Sequence, residues 1–396
     1  MLPGTTKNHR GHIMNIGELE VLSTSAIFGA NASGKSNIFK AMKYSRDLIL
    51  GRKIDENCYF RLDPECKSKP SMFSYEFSIG DDLYRYGFEI IISERKIVNE
   101  WLWRISVTGE DTPIFQRPLE SNPGPASLIK FKRRLTKYLV LTLMDELRNQ
   151  KDQDVQEIIA VRDWFENNLK IIGTDENLLS ELDYTEEQCI ELGSLLGDFD
   201  VGIFSVGFEH AKSKKDSTMM YGKGDLTVYN EYVSRYPKKS SNDGKRQRNS
   251  KEPLILVNNH GLKDELFLWY DESDGTRRLM DLAPMIISKE PDVTYIVDEL
   301  DRSLHPMVVY EFVSRFTNSE ASQFKKQLIF TTHQTCLLDQ ELLRRDEIWF
   351  VQKERDGHSE LYSLDQYNER SNKNIERMYL NGDFDAIPNI LRGGFL

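Results

Sequence analysis

Gly29-Ala30-Asn31-Ala32-Ser33-Gly34-Lys35-Ser36 fits the pattern G-x-x-x-x-G-K-[ST], a loop whose backbone N–H groups wrap phosphate oxygens. The residues on either side supply the context this motif needs. Val21-Leu22-Ser23-Thr24-Ser25-Ala26-Ile27-Phe28 ends apolar and reads as a buried strand, and Asn37 to Leu50 reads as a helix with Ile38, Phe39, Met42 and Leu48 near one face. A helix starting at the loop adds the positive end of its dipole to the phosphate site. Gly29, Asn31, Ala32, Ser33, Gly34, Lys35, Ser36 and Asn37 form the expected nucleotide-contacting set. In it, Lys35 reaches the β- and γ-phosphates and the Ser36 hydroxyl holds Mg²⁺.

Downstream, the period of the apolar residues changes to two. Phe73, Tyr75, Phe77 and Ile79 alternate with Ser74, Glu76 and Ser78, and Gly80-Asp81-Asp82 is a hairpin turn before Tyr84 to Ile92. Trp101 to Ile105 continues an antiparallel β-layer whose aromatics read as a packed sheet face. Pro123-Gly124-Pro125 breaks the pattern, and Ser127 to Ser194 reads as a helical lid, with Ile158, Ile159, Val161, Trp164, Phe165 and Leu169 near helical spacing. Leu195 to Val206 reads as strand-like again. Tyr236 to Lys251 is a polar, basic linker; it reads first as a solvated loop, and its charges also allow contact with nucleic acid. From Leu254 onward, short apolar runs at Leu254–Val257, Leu266–Leu268, Thr294–Val297 and Gln327–Thr331 alternate with polar, helix-starting segments, a parallel α/β pattern.

Three further stretches carry chemistry. Thr294-Tyr295-Ile296-Val297-Asp298-Glu299 is a buried strand ending in two acids. Asp298 at the strand tip suits Mg²⁺, and Glu299 suits orientation and deprotonation of an attacking water. Ser273-Asp274-Gly275-Thr276-Arg277-Arg278 opens a helix, where Ser273 is a natural N-cap; the same hydroxyl, a glycine N–H and the helix N-terminus also suit a γ-phosphate. Phe330-Thr331-Thr332-His333 is a polar switch after a strand, placing His333 for contact with the γ-phosphate and the Glu299 region.

Taken in this order, the four stretches resemble an ABC-type ATPase head of the SMC-like branch. More closely they resemble the AAA/ABC-like ATP-binding proteins of bacterial abortive-infection and phage-defence operons, relatives of the OLD-type ATPases. The similarity also takes in Leu300-Asp301-Arg302-Ser303-Leu304-His305-Pro306 and the tail Tyr379 to Pro388. The resemblance implies an α/β fold: a head with a mixed sheet and an antiparallel β-layer around the phosphate loop, plus an inserted helical lid subdomain. It divides the chain into 1–120 and 201–396 as two halves of the head and 121–200 as the insertion. It also implies an ATPase with ATP and Mg²⁺ that forms a homodimer or higher homo-oligomer, with Asp301 in a D-loop and with Ser273 and Gly275 serving the nucleotide of a second protomer. The partner it implies is a nuclease-like effector encoded beside it. A DNA-repair ATPase acting on DNA directly, and a nucleotide-gated scaffold with little turnover, remain the alternatives. ATPases of this branch usually begin with an additional strand, and Met1 to Gly17 holds few β-formers, so the resemblance implies a truncated start and an unpaired sheet edge. No zinc-hook cysteine pair, long coiled coil or Toprim acidic set is present.

Composition bounds this reading. The 396 residues suffice for a large core and two or three subdomains, and a net charge of −11 argues against a surface coated for DNA while leaving room for a local basic groove. Cys58, Cys66, Cys189 and Cys336 form no C-x-x-C pair, which fits reduced thiols and a cytoplasmic setting. No apolar run approaches membrane-spanning length and Met1 to Gly17 lacks the apolar block of a secretory signal, so no membrane partner is expected.

Overall fold

Thr24–Gly29 is buried at every position, as a strand covered on both faces must be. It lies inside a six-stranded sheet that the computed structural model orders, by strand, as Ser359–Ser363, Ile348–Lys353, Thr24–Gly29, Gln327–Thr331, Thr294–Val297 and Leu169–Ile172. All pairs are parallel except the outer one, Ile348–Lys353 with Ser359–Ser363. The structure describes residues 1–4, 8–119, 124–173, 178, 186–210, 254–260, 266–268, 271–318, 324–367 and 374–387. The α/β class and the mixed sheet expected from the sequence are both present.

The chain forms two compact units. The first gathers Met1–Gly173, Glu290–Leu300 and Glu320–Leu396; the second gathers Thr174–Lys289 and Asp301–Ser319. In the first, the antiparallel layer expected from the alternation is formed by Ser71–Ile79, Asp82–Ile91 and Lys96–Ile105, and a fourth strand that the sequence reading does not include, Thr112–Gln116, extends it in chain order. Its buried face (Tyr86, Phe88, Leu102, Phe115) shares one core with Phe39, Leu48 and Ile49 of helix Lys35–Ile49 and with Val155, Ile158 and Phe165 of helix Gln153–Asn167. Phe77 stacks on Trp164 with ring centroids 4.2 Å apart, and Tyr86 meets Phe165 edge-on at 5.6 Å. Burying each such ring stabilises the fold by about 1.5–3 kcal/mol.

Glu100 lies inside this core. It pairs with Arg117 at 2.9 Å and accepts from the Tyr86 hydroxyl (2.9 Å) and the Val140 N–H (2.8 Å). Burial nevertheless pushes its carboxyl above the ordinary range.

Three local readings differ from the structure. Leu169–Ile172, placed by the sequence in a helical stretch, is the outermost parallel strand. Helical spacing persists up to Leu169 because helix Gln153–Asn167 runs straight into it, and four residues are too few to establish a new period. Within Leu195 to Val206, helix Glu186–Asp198 continues before strand Ser205–His210 begins. Finally, Ile13–Ile16 forms an antiparallel hairpin with Leu19–Leu22, so the stretch before Gly17 does contain a strand. Gly17, at φ +57°, makes its turn, and Met14, Ile16 and Val21 form a small cluster with Leu19 and Leu83. The basic linker Tyr236 to Lys251 lies outside the described residues.

In the second unit, Ser205–His210, Leu254–Asn259 and Leu266–Leu268 pair antiparallel, with Leu254–Asn259 central. The helices Glu186–Asp198, Asp274–Leu282, Pro284–Ile287 and Pro306–Asn318 belong to the same unit. Among the described residues, no helix is long and apolar enough to cross a membrane.

Candidate functional site

The parallel pairing brings three of the sequence-predicted stretches to one sheet edge. Ile27 lies opposite Thr331, and Phe330 lies opposite Val297. Gly29, Asp298 and Thr332 therefore all leave the sheet at the carboxyl ends of adjacent strands, the edge where open α/β sheets take their ligands.

The phosphate loop is shaped by what its glycines lack. A Cβ on Gly29 would sit 2.7 Å from the Val351 carbonyl oxygen and 2.8 Å from Ser33 Oγ. Gly34 has φ +112°, and a side chain there would run into Ser359, whose hydroxyl donates to the Ser33 carbonyl at 2.7 Å. Ala32 also adopts a left-handed backbone, at φ +64°. Helix Lys35–Ile49 starts at Gly34 with no side-chain cap, so its first-turn amides are presented to the loop. Lys35 is buried, and its ammonium donates to the carbonyls of Gly29 (2.7 Å) and Ala30 (3.0 Å). Ser36 is half-buried, while Asn31 and Asn37 are exposed. Beneath the loop, Tyr379 of helix Ile375–Asn381 packs 6.1 Å from Phe28 and 5.6 Å from Phe350. Burial raises the Tyr379 phenol, and a hydrogen bond with the Gly29 backbone partly offsets this.

Across the sheet edge, Asp298 is buried and Glu299 half-buried. Glu299 has φ +48°, which a non-glycine residue adopts only when its surroundings hold it there. The holding group is Thr331, a residue to which the sequence alone assigns no role. Its hydroxyl donates to Asp298 Oδ1 at 2.7 Å and accepts from the Glu299 N–H at 2.8 Å. No local sequence signal marks it; the pairing of strands Thr294–Val297 and Gln327–Thr331 creates its position. His333 is exposed at the end of the same segment, two residues before Thr335, whose hydroxyl donates to Glu376 at 2.6 Å.

The remaining predicted residues belong to the second unit. Ser273 caps helix Asp274–Leu282, accepting from the Thr276 N–H at 3.1 Å. A Cβ on Gly275 would lie 2.7 Å from the Ser303 carbonyl oxygen. Glycine there lets the helix start meet the Asp301–Ser303 turn, which the Leu304 N–H closes by donating to the Asp301 carbonyl at 3.1 Å. The structure thus brings Ser273 and Gly275 beside the segment carrying Asp301.

The first-unit residues fit a magnesium–nucleotide group. The loop is a cradle that any Cβ at Gly29 or Gly34 would fill, its lysine is folded inward, and a buried carboxylate stands at the neighbouring strand end. Among the described residues, no group of three or more His, Cys, Asp or Glu could hold a metal ion by itself.

A family model described as "AAA domain, putative AbiEii toxin, Type IV TA system" matches residues 25–130 and 196–339, more than half of the chain. No curated protein matches it.

Proposed function

The chain belongs to this AAA-domain family, and from that membership we propose that it binds Mg²⁺·ATP at the sheet edge and hydrolyses it to ADP and phosphate. The observation that carries the reading is the convergence of the Gly29–Ser36 loop, Asp298–Glu299 and the His333 segment on one edge of one sheet. The loop amides and the Lys35 ammonium bind the phosphates; Lys35 exchanges its two carbonyl contacts for phosphate oxygens. Ser36 and Asp298 are the protein groups that would hold Mg²⁺, which neutralises phosphate charge when bound. Glu299 orients the attacking water and takes its proton, and His333 contacts the γ-phosphate.

The composite part of the reading rests on the resemblance to ABC-type heads. Ser273 and Gly275 complete the nucleotide site of another copy, with Asp301 at the junction, so nucleotide binding drives dimerisation. The toxin–antitoxin wording of the family description and the resemblance to abortive-infection ATPases support the further reading that closure controls a partner effector, nuclease-like and encoded beside it, in defence against phage. The test of the nucleotide site is Lys35→Ala. Loss of its charge-assisted contacts is expected to weaken ATP binding by about 2–3 kcal/mol, or roughly 30- to 150-fold. Isothermal calorimetry reads this directly, and unchanged affinity in the folded variant rejects the site.

A further inference from the structure

We propose that Thr331 is a positioning residue of this site, its one hydroxyl fixing both the Asp298 carboxylate and the Glu299 backbone. The proposal rests on the hydrolytic reading above. Thr331 is only 1% exposed. Its hydroxyl hydrogen goes to Asp298 Oδ1 at 2.7 Å and its oxygen takes the Glu299 N–H at 2.8 Å, while its own carbonyl accepts the Leu300 N–H at 3.0 Å. Three consecutive residues of the acidic segment are thus tied to a single residue of the neighbouring strand.

Each tie has a distinct consequence. With Oδ1 committed to Thr331, the Asp298 carboxylate cannot rotate about its χ2 bond without breaking a buried hydrogen bond, so the face it turns toward a metal is set in advance. The second tie holds Glu299 in its left-handed backbone at φ +48°. Threonine suits both tasks: its branched Cβ is at home in a buried strand and stiff at χ1, so the hydroxyl is pre-aimed. Valine has the same shape without the hydroxyl, and serine has the hydroxyl without the branch.

The experiment measures ATP turnover against ATP and against Mg²⁺ for Thr331→Val and Thr331→Ser. Valine is expected to lower kcat by about 10²-fold with the ATP KM moved by less than about threefold, as for a misplaced rather than missing group. It is also expected to raise the Mg²⁺ concentration for half-maximal turnover by at least about tenfold, as loss of an outer-shell partner does. Serine is expected to restore most of both. A residue that merely packs would move the melting temperature and leave the Mg²⁺ dependence alone. If the valine variant fails to fold, Thr331→Cys replaces it; the weak thiol donor is expected to reproduce the loss that serine avoids. A folded valine or cysteine variant with parental kcat and Mg²⁺ dependence overturns the proposal, as does serine failing as badly as valine. If the parent hydrolyses ATP and is indifferent to the hydroxyl, only this inference falls. If the parent neither binds nor hydrolyses ATP, the hydrolytic reading falls and takes this one with it. If it binds without turnover, the Mg²⁺ dependence of binding reads the Asp298 tie, and an unchanged dependence overturns it.

Discussion

At Gly34 two requirements meet in one residue: a left-handed backbone at φ +112° and room for Ser359 where a side chain would stand. Gly34→Ala breaks both. Strain of this kind costs about 1–3 kcal/mol, and because the loop must shift to relieve it, a loss of roughly 5- to 150-fold in ATP affinity is expected. Adding Ser359→Gly removes the collision but not the backbone strain, so calorimetry should find partial recovery only; full recovery would show that the backbone angle is immaterial. Gly34 was legible in the sequence because the constraint is local: a short loop needs glycine and lysine at fixed offsets, wherever the rest of the chain goes. Thr331 lies as close to the chemistry and was not legible as a site residue. A threonine ending a strand is ordinary, and only the pairing of two strands brings its hydroxyl to Asp298. Gly275 falls between the two: its motif was readable, whereas its close approach to Ser303 depends on the fold.

Among the elements, the antiparallel layer depends on a charge it buries. Glu100 is fully enclosed, with Arg117, Tyr86 and Val140 around it. Glu100→Ala leaves the Arg117 guanidinium without its carboxylate, holding only the Leu135 and Tyr138 carbonyls, and a loss of about 3 kcal/mol is expected in denaturant unfolding. The pH dependence has a definite sign. Burial raises the Glu100 carboxyl in the folded state, so the folded protein holds that proton more tightly than the unfolded chain. The stabilisation is fully present below the unfolded value and is lost as pH rises through the raised folded one. Glu100→Gln, neutral throughout, should reduce the fall in melting temperature over that window; an unchanged profile would mean that Glu100 does not titrate there. Helix Lys35–Ile49 and the alternating strands were readable because each repeats its period several times. Leu169–Ile172 was not, being four residues directly after a helix. The Ile13–Ile16 hairpin did carry a signal, Gly17 as the first residue of a two-residue turn, which low overall apolar content outweighed.

For the whole molecule, the composite reading predicts complementation between defective chains. A Lys35→Ala chain lacks the ammonium of its own loop, and a Gly275→Asp chain lacks what it would offer a second copy. Each alone should be inactive, and in a mixed population one site of each heterodimer regains all its parts. Partial recovery of phosphate release is expected on mixing, and its absence from verified heterodimers would argue against exchange between copies. The fold class and the phosphate-loop edge followed from sequence motifs, and the resemblance implied a single insertion in the head; no sequence signal marks the division after Leu300, where Glu290–Leu300 and Asp301–Ser319 fall in different units. Contacts between segments remote in sequence decide that division. The most direct test is multiple-turnover phosphate release by the unmodified chain and by Glu299→Gln, with ATP binding measured on the same preparations. The expected result is many phosphates per chain from the parent, about 10²- to 10⁴-fold slower release from the variant, and comparable ATP affinity in both. Release at the parental rate by Glu299→Gln would contradict its assignment as the water-activating residue, and a parent that binds ATP without turnover would contradict the hydrolytic reading as a whole.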